Sequence, residues 1–65
     1  MRYFSYDDPE GTHTLSEEEI RVQFYPTWYN RMCEKFGKDN VNAIYRFEDC
    51  LEDWKVVNHG REVDI

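Results

Sequence analysis

Apolar positions in the second half of the chain follow a helical beat. Phe47, Cys50, Leu51, Trp54 and Val57 fall at i, i+3, i+4, i+7 and i+10, one narrow stripe of an α-helix. Between them stand Glu48, Asp49, Glu52 and Asp53, on the side away from that seam. The spacing predicts a helix over 47–58, with Glu48 and Asp49 at the positive end of its dipole and Gly60 placed to end it. An earlier helix is announced by Ser16-Glu17-Glu18-Glu19, a capping box in which the Ser16 hydroxyl and the Glu19 carboxylate satisfy each other's backbone N–H groups. That helix is expected to run from Glu17 to about Phe36 and to stop at Gly37. Its apolar residues, from Ile20 and Val22 through Trp28 and Tyr29 to Phe36, span roughly 220° at 100° per residue, wider than a one-sided surface helix needs. Such an arc calls for cover on two sides, by the rest of the fold or by a second copy of the chain.

Pro26 contradicts an unbroken helix there. In a helix interior it removes a hydrogen bond and clashes with the preceding turn, a cost of about 3 kcal/mol. The helix is therefore expected to kink near Val22–Pro26 or to restart with Pro26 in a first turn. Residues 2–15 predict a β-hairpin: Tyr3, Phe4 and Tyr6 suit a strand, Asp7 to Gly11 is rich in turn formers, and Thr12 to Leu15 returns antiparallel. Residues 41–46 are expected to form a partly extended connection, and the tail 61–65 to fray. With no repeat, low-complexity run or linker, residues 1–65 form one α+β domain: an N-terminal hairpin packed on helices at about 17–36 and 47–58.

Length sharpens this reading. A chain of 65 residues buries only roughly 60% of its unfolded surface, so its core needs support. Aromatics at 17% supply part of it, and a homodimer would supply more. Two cysteines, no signal-peptide pattern and no long apolar run point to a soluble cytosolic protein with reduced thiols. The net charge of −6 is uneven: residues 1–20 and 48–65 are acidic, whereas Arg21, Arg31, Lys35, Lys38 and Arg46 outnumber Glu34 and Asp39 between them. The balance argues against nucleic-acid and anionic-membrane binding and suits a partner with a basic surface.

No catalytic or cofactor motif stands out. His13, Cys33, Cys50 and His59 match no structural zinc spacing, since sixteen residues separate the cysteines and no paired-ligand motif occurs. No metal, cofactor or catalytic residue is assigned, and an enzyme is not expected in a fold with so little room for a water-excluding pocket. A Cys33–Cys50 disulfide would join the two helices, but the inferred compartment argues against it. The candidate binding residues are Glu48, Asp49, Glu52 and Asp53 on the second helix, with Trp28 and Tyr29 from the cluster Phe24, Tyr25, Trp28, Tyr29. Aromatics beside polar groups dominate binding hot spots, although the same rings also serve as plain core.

Tyr3-Phe4, Ser16 to Ile20, Trp28-Tyr29, Met32, Lys35-Phe36-Gly37, Phe47 to Trp54 and Val56-Val57-Asn58 together resemble a group of short proteins encoded by tailed bacteriophages. That group is similar in having an aromatic first strand, an S-E-E-E-I helix start, a Trp- and Tyr-rich helix closing on K-x-G, and a C-I-D-D-W-x-x-V-N-W-A-like block. This chain departs after Asn58, with His59-Gly60 where the group tends to have Trp-Ala. The resemblance implies a class, the small accessory phage proteins that bind and block a host enzyme or defence system in the host cytoplasm. The expected function is a host-takeover or anti-defence inhibitor acting by stoichiometric occlusion. The alternatives are a sponge that sequesters a nucleotide signal at an oligomer interface, and a structural protein with no dedicated ligand.

Overall fold

A computed structural model describes residues 1–64. Strands β1 (Tyr3–Asp8) and β2 (Gly11–Ser16) lead into helices α1 (Glu17–Gln23), α2 (Tyr25–Phe36), α3 (Lys38–Ile44) and α4 (Phe47–Asn58), and strand β3 (Arg61–Val63) follows. The expected α+β class and the N-terminal hairpin are both present. Asp8 pairs with Gly11, leaving Pro9 and Glu10 as the two-residue turn. The Asp8 carboxylate accepts the Glu10 N–H at 2.8 Å, and Gly11 takes a φ of 130° that a side chain would resist.

The sheet order is β2-β1-β3, so β1 is the central strand. Its partner β3 runs antiparallel, with Tyr3 opposite Val63 and Ser5 opposite Arg61. The frayed tail expected from the sequence is thus corrected for Arg61–Val63, which forms an edge strand; Ile65 lies outside the described residues. Pairing with residues sixty positions earlier gives that strand its order.

The capping box forms as read: Ser16 Oγ accepts the Glu19 N–H, and Glu19 Oε1 accepts the Ser16 N–H, each at 3.2 Å. The long first helix does not survive intact. Phe24 (φ −109°, ψ −40°) ends α1 and starts α2, and Pro26 falls in the first turn of α2, where no helical partner exists for the N–H it lacks. Gly37, at φ 87°, ends α2, and α3 begins at once: the Val41 N–H donates to the Gly37 carbonyl at 3.0 Å, and Asn40 Nδ2 donates to the Phe36 carbonyl at 2.7 Å. The connection expected to be partly extended over 41–46 is therefore helical through Ile44. Buried Val41 anchors it to its neighbour.

Helix α4 occupies the predicted residues. Its end corrects the sequence reading, for His59, not Gly60, adopts the left-handed conformation, while the Gly60 N–H donates to the Lys55 carbonyl at 2.8 Å. The buried stripe is also shorter than predicted. Cys50, Leu51 and Trp54 are buried, but Val57 is 63% exposed. The core unites Phe4, Ile20, Leu51 and Trp54, flanked by Tyr6, Leu15, Phe24 and Phe47. Trp54 meets Phe4 and Tyr6 edge-on, each at 5.9 Å between ring centroids.

Helix α3 contributes nothing to this core and packs chiefly on α2, so the two form an arm. The radius of gyration is 12.8 Å and the extents are 38 × 25 × 16 Å, against about 11 Å for a compact chain of this length. Among the described residues no helix is long and apolar enough to cross a membrane.

Candidate interaction surface

Of the six residues singled out by sequence, Trp28 and Asp53 are brought into contact, and the other four lie on α2 and α4 with partners of their own. Trp28 is buried at 5% exposure and donates its indole N–H to the Asp53 carboxylate. This bond joins an aromatic candidate directly to an acidic one. Tyr29, half-buried, donates its hydroxyl to Asn42 Oδ1 at 2.6 Å and stacks on Tyr25 at 5.8 Å. Desolvation, helped by a hydrogen bond with Cys33, holds the Tyr29 phenol above its ordinary range. Tyr25 is the hinge of the cluster, also meeting Trp28 at 5.8 Å and Phe47 at 5.5 Å. Trp28 is thus a floor under the surface, and the half-buried tyrosines are what it presents.

The four acids of α4 are each occupied within the chain. Glu48 accepts from Arg2, which also clasps Glu62 through two bonds of 2.9 and 3.1 Å. Those two carboxylates raise the Arg2 pKa, and the Arg2 hydrogen bond in turn lowers that of Glu62. Asp49 Oδ2 accepts the Arg46 N–H at 2.7 Å and so caps α4. Glu52 reaches Lys55 at 2.9 Å, an exposed pair of little energetic weight. Asp53 holds Trp28. The four residues stay exposed, but only Glu52 can be changed without loosening a cap, an indole or the Arg2 cluster.

Sequence reasoning did not single out Arg2, Arg21, Tyr45 or Asn42. The Arg21 guanidinium lies 3.8 Å from the centre of the Phe47 ring, a cation–π contact beside the acids of α4. Tyr45 packs edge-on against Trp28 at 6.2 Å and beside Phe36 at 6.0 Å, carrying the aromatic row into the arm. A tyrosine in a short linker and an arginine in an acidic helix give no periodic signal. Their roles arise from folding.

Both thiols adjoin these residues, Cys33 beside Tyr29 and Cys50 beside Asp53. Cys33 and Cys50 are free, and burial, with the nearby Asp53 charge adding to it, pushes the Cys50 thiol up to about 11. The hairpin turn gathers Asp8, Glu10 and His13, whose potential ligand atoms lie within 4.8 Å of one another, a proximity that the linear spacing did not reveal. His13 Nε2 sits 2.8 Å from Asp8 Oδ2. That nitrogen is shielded from solvent, and its contact with the carboxylate is close but poorly directed. It lowers the Asp8 pKa, and His13 also stacks on Tyr6 at 5.0 Å. The three residues lock the hairpin tip to the sheet. Among the described residues no pocket is formed.

Comparison with protein-family models, with curated proteins and with solved structures gave no match.

Proposed function

We propose that this chain is a small phage protein that binds a host protein in the host cytoplasm and inhibits it by stoichiometric occlusion, as a host-takeover or anti-defence factor. The observation that carries the reading is the bond from Trp28 to Asp53. It joins an aromatic candidate to an acidic one, with Tyr25 packed on Trp28 and Glu52 next to Asp53 in the chain. A ring-bearing, anionic surface suits a partner that offers arginine or lysine: the charge speeds encounter, and the rings retain the cation, as Phe47 already does for Arg21. With no pocket among the described residues, binding is assigned to the surface. The net charge of −6 favours a protein partner over nucleic acid or an anionic membrane. The sponge reading would need an oligomer interface to build its site.

The test is affinity purification from infected or expressing cells followed by mass spectrometry. One host protein in stoichiometric amount is expected. Glu52→Lys should then slow association with that protein and weaken its salt dependence, with the fold kept as read by circular dichroism. Recovery of bound small molecules with no stoichiometric protein would replace this reading with the sponge.

A further inference from the structure

The cations of this molecule are divided in an unusual way. Among the described residues, Arg2, Arg21, Lys55 and Arg61, all outside the α2–α3 arm, each pair with a carboxylate. Arg31, Lys35 and Lys38 of the arm, and Arg46 just beyond it, pair with no carboxylate among the described residues. Residues 25–46 carry a net charge of +2 within a chain of −6, which leaves −8 on the remainder. The arm also exposes two large apolar side chains, Phe36 at 48% and Ile44 at 67%. On the body, the end of α4 exposes Val56 and Val57, each one turn beyond an acid, Glu52 and Asp53. The arm is cationic with an apolar centre, and the end of α4 is anionic with an apolar centre. Each is what the other lacks.

We infer that the occupant of the arm is a second copy of this chain: the α2–α3 arm of one protomer lies against the end of α4 of its partner, and the partner's arm returns the contact. Both complementary surfaces belong to the same chain, so a two-fold axis satisfies each of them twice in a closed dimer. Phe36, Ile44, Val56 and Val57 then leave water, which also answers the elongated shape of the single chain. This inference concerns the chain alone and does not depend on any host partner.

Charge exchange tests it. Sedimentation equilibrium of the unaltered chain at tens to hundreds of micromolar should give twice the 8.0 kDa of one chain. The arm variant Lys35→Glu/Lys38→Glu sets acid against acid, and the body variant Glu52→Lys sets base against base. Each alone should dimerise at least about tenfold more weakly, a free-energy difference of about 1.4 kcal/mol. In an equimolar mixture both contacts regain opposite charges, and the dimer should return as a mixed species. Circular dichroism of each variant confirms that the fold is kept. A chain that stays at 8.0 kDa over this range overturns the inference, as does a dimer indifferent to both variants or a mixture that fails to restore it.

Discussion

Gly60→Ala is expected to destabilise the domain, and the reason is steric. A Cβ at residue 60 would stand 2.4 Å from Trp54 Cζ3, 3.0 Å from Cη2 and 3.2 Å from the Ser5 carbonyl oxygen. Carbon atoms prefer about 3.5–4.0 Å, so the methyl group must push the indole aside. The indole has nowhere to go, because Trp54 is 4% exposed and held edge-on by Phe4 and Tyr6. Overpacking of this kind costs about 1–3 kcal/mol. A domain of this length has about 3–10 kcal/mol of stability in total. At about 4–8 °C per kcal/mol, the melting temperature should fall by roughly 5–20 °C in a thermal scan followed by circular dichroism. The sign is informative. Gly60 is not held at a positive φ, so without the clash alanine would stabilise by about 0.4–1 kcal/mol through the unfolded state. Trp54→Leu should create room for the methyl group, and the cost of Gly60→Ala should shrink in that background. An unchanged or raised melting temperature, or the same cost in both backgrounds, would refute the packing of residue 60 against Trp54.

Three further outcomes are expected. Trp54→Ala should cost about 3–5 kcal/mol and leave little folded protein at ambient temperature, as read by the dispersion of amide resonances; a well-dispersed spectrum would deny Trp54 its central place. The carboxyls of Glu62, Asp7 and Asp8 are held below their ordinary range by bonds from Arg2, Thr12 and His13. Their contribution is therefore present above the unfolded carboxylate range and is lost as pH falls through the lowered folded values, so the stability lost in Arg2→Ala should be larger in urea titrations at pH 7 than at pH 3. Finally, with the Cys50 thiol pushed up to about 11, the folded chain should react with one equivalent of a thiol reagent at pH 8, at Cys33, and with two in denaturant; two fast equivalents without denaturant would contradict the burial of Cys50.

Where structure is specified locally, the sequence made it legible. Helix α4 carries its own periodicity, and α1 begins on a capping box whose two bonds need only four consecutive residues. Pro26 announced a discontinuity, but its form depended on Phe24, a residue with no signature of a cap. Helix α3 was hidden because Lys38–Ile44 buries only Val41 and is rich in residues of modest helix propensity, so packing on α2 decides its conformation. Strand β3 was hidden for a similar reason, three residues that have no preference until β1 is beside them. At the candidate surface the residue types were legible and their engagements were not. Nothing in the order of residues says that Asp53 receives the Trp28 indole or that Arg2 spans from Glu48 to Glu62.

The placement of β1 between β2 and β3 has a topological meaning. Tyr3 lies opposite Val63, so the two ends of the described chain are adjacent and could be joined by a short linker with little loop-closure cost. A circular permutant opened at exposed Gly37 would turn the tips of the arm into free termini while retaining β1–β3 pairing by direct linkage. In such a molecule the sheet would be nucleated by a local hairpin of β3 and β1, and folding would no longer wait for the most distant residues of the chain to meet.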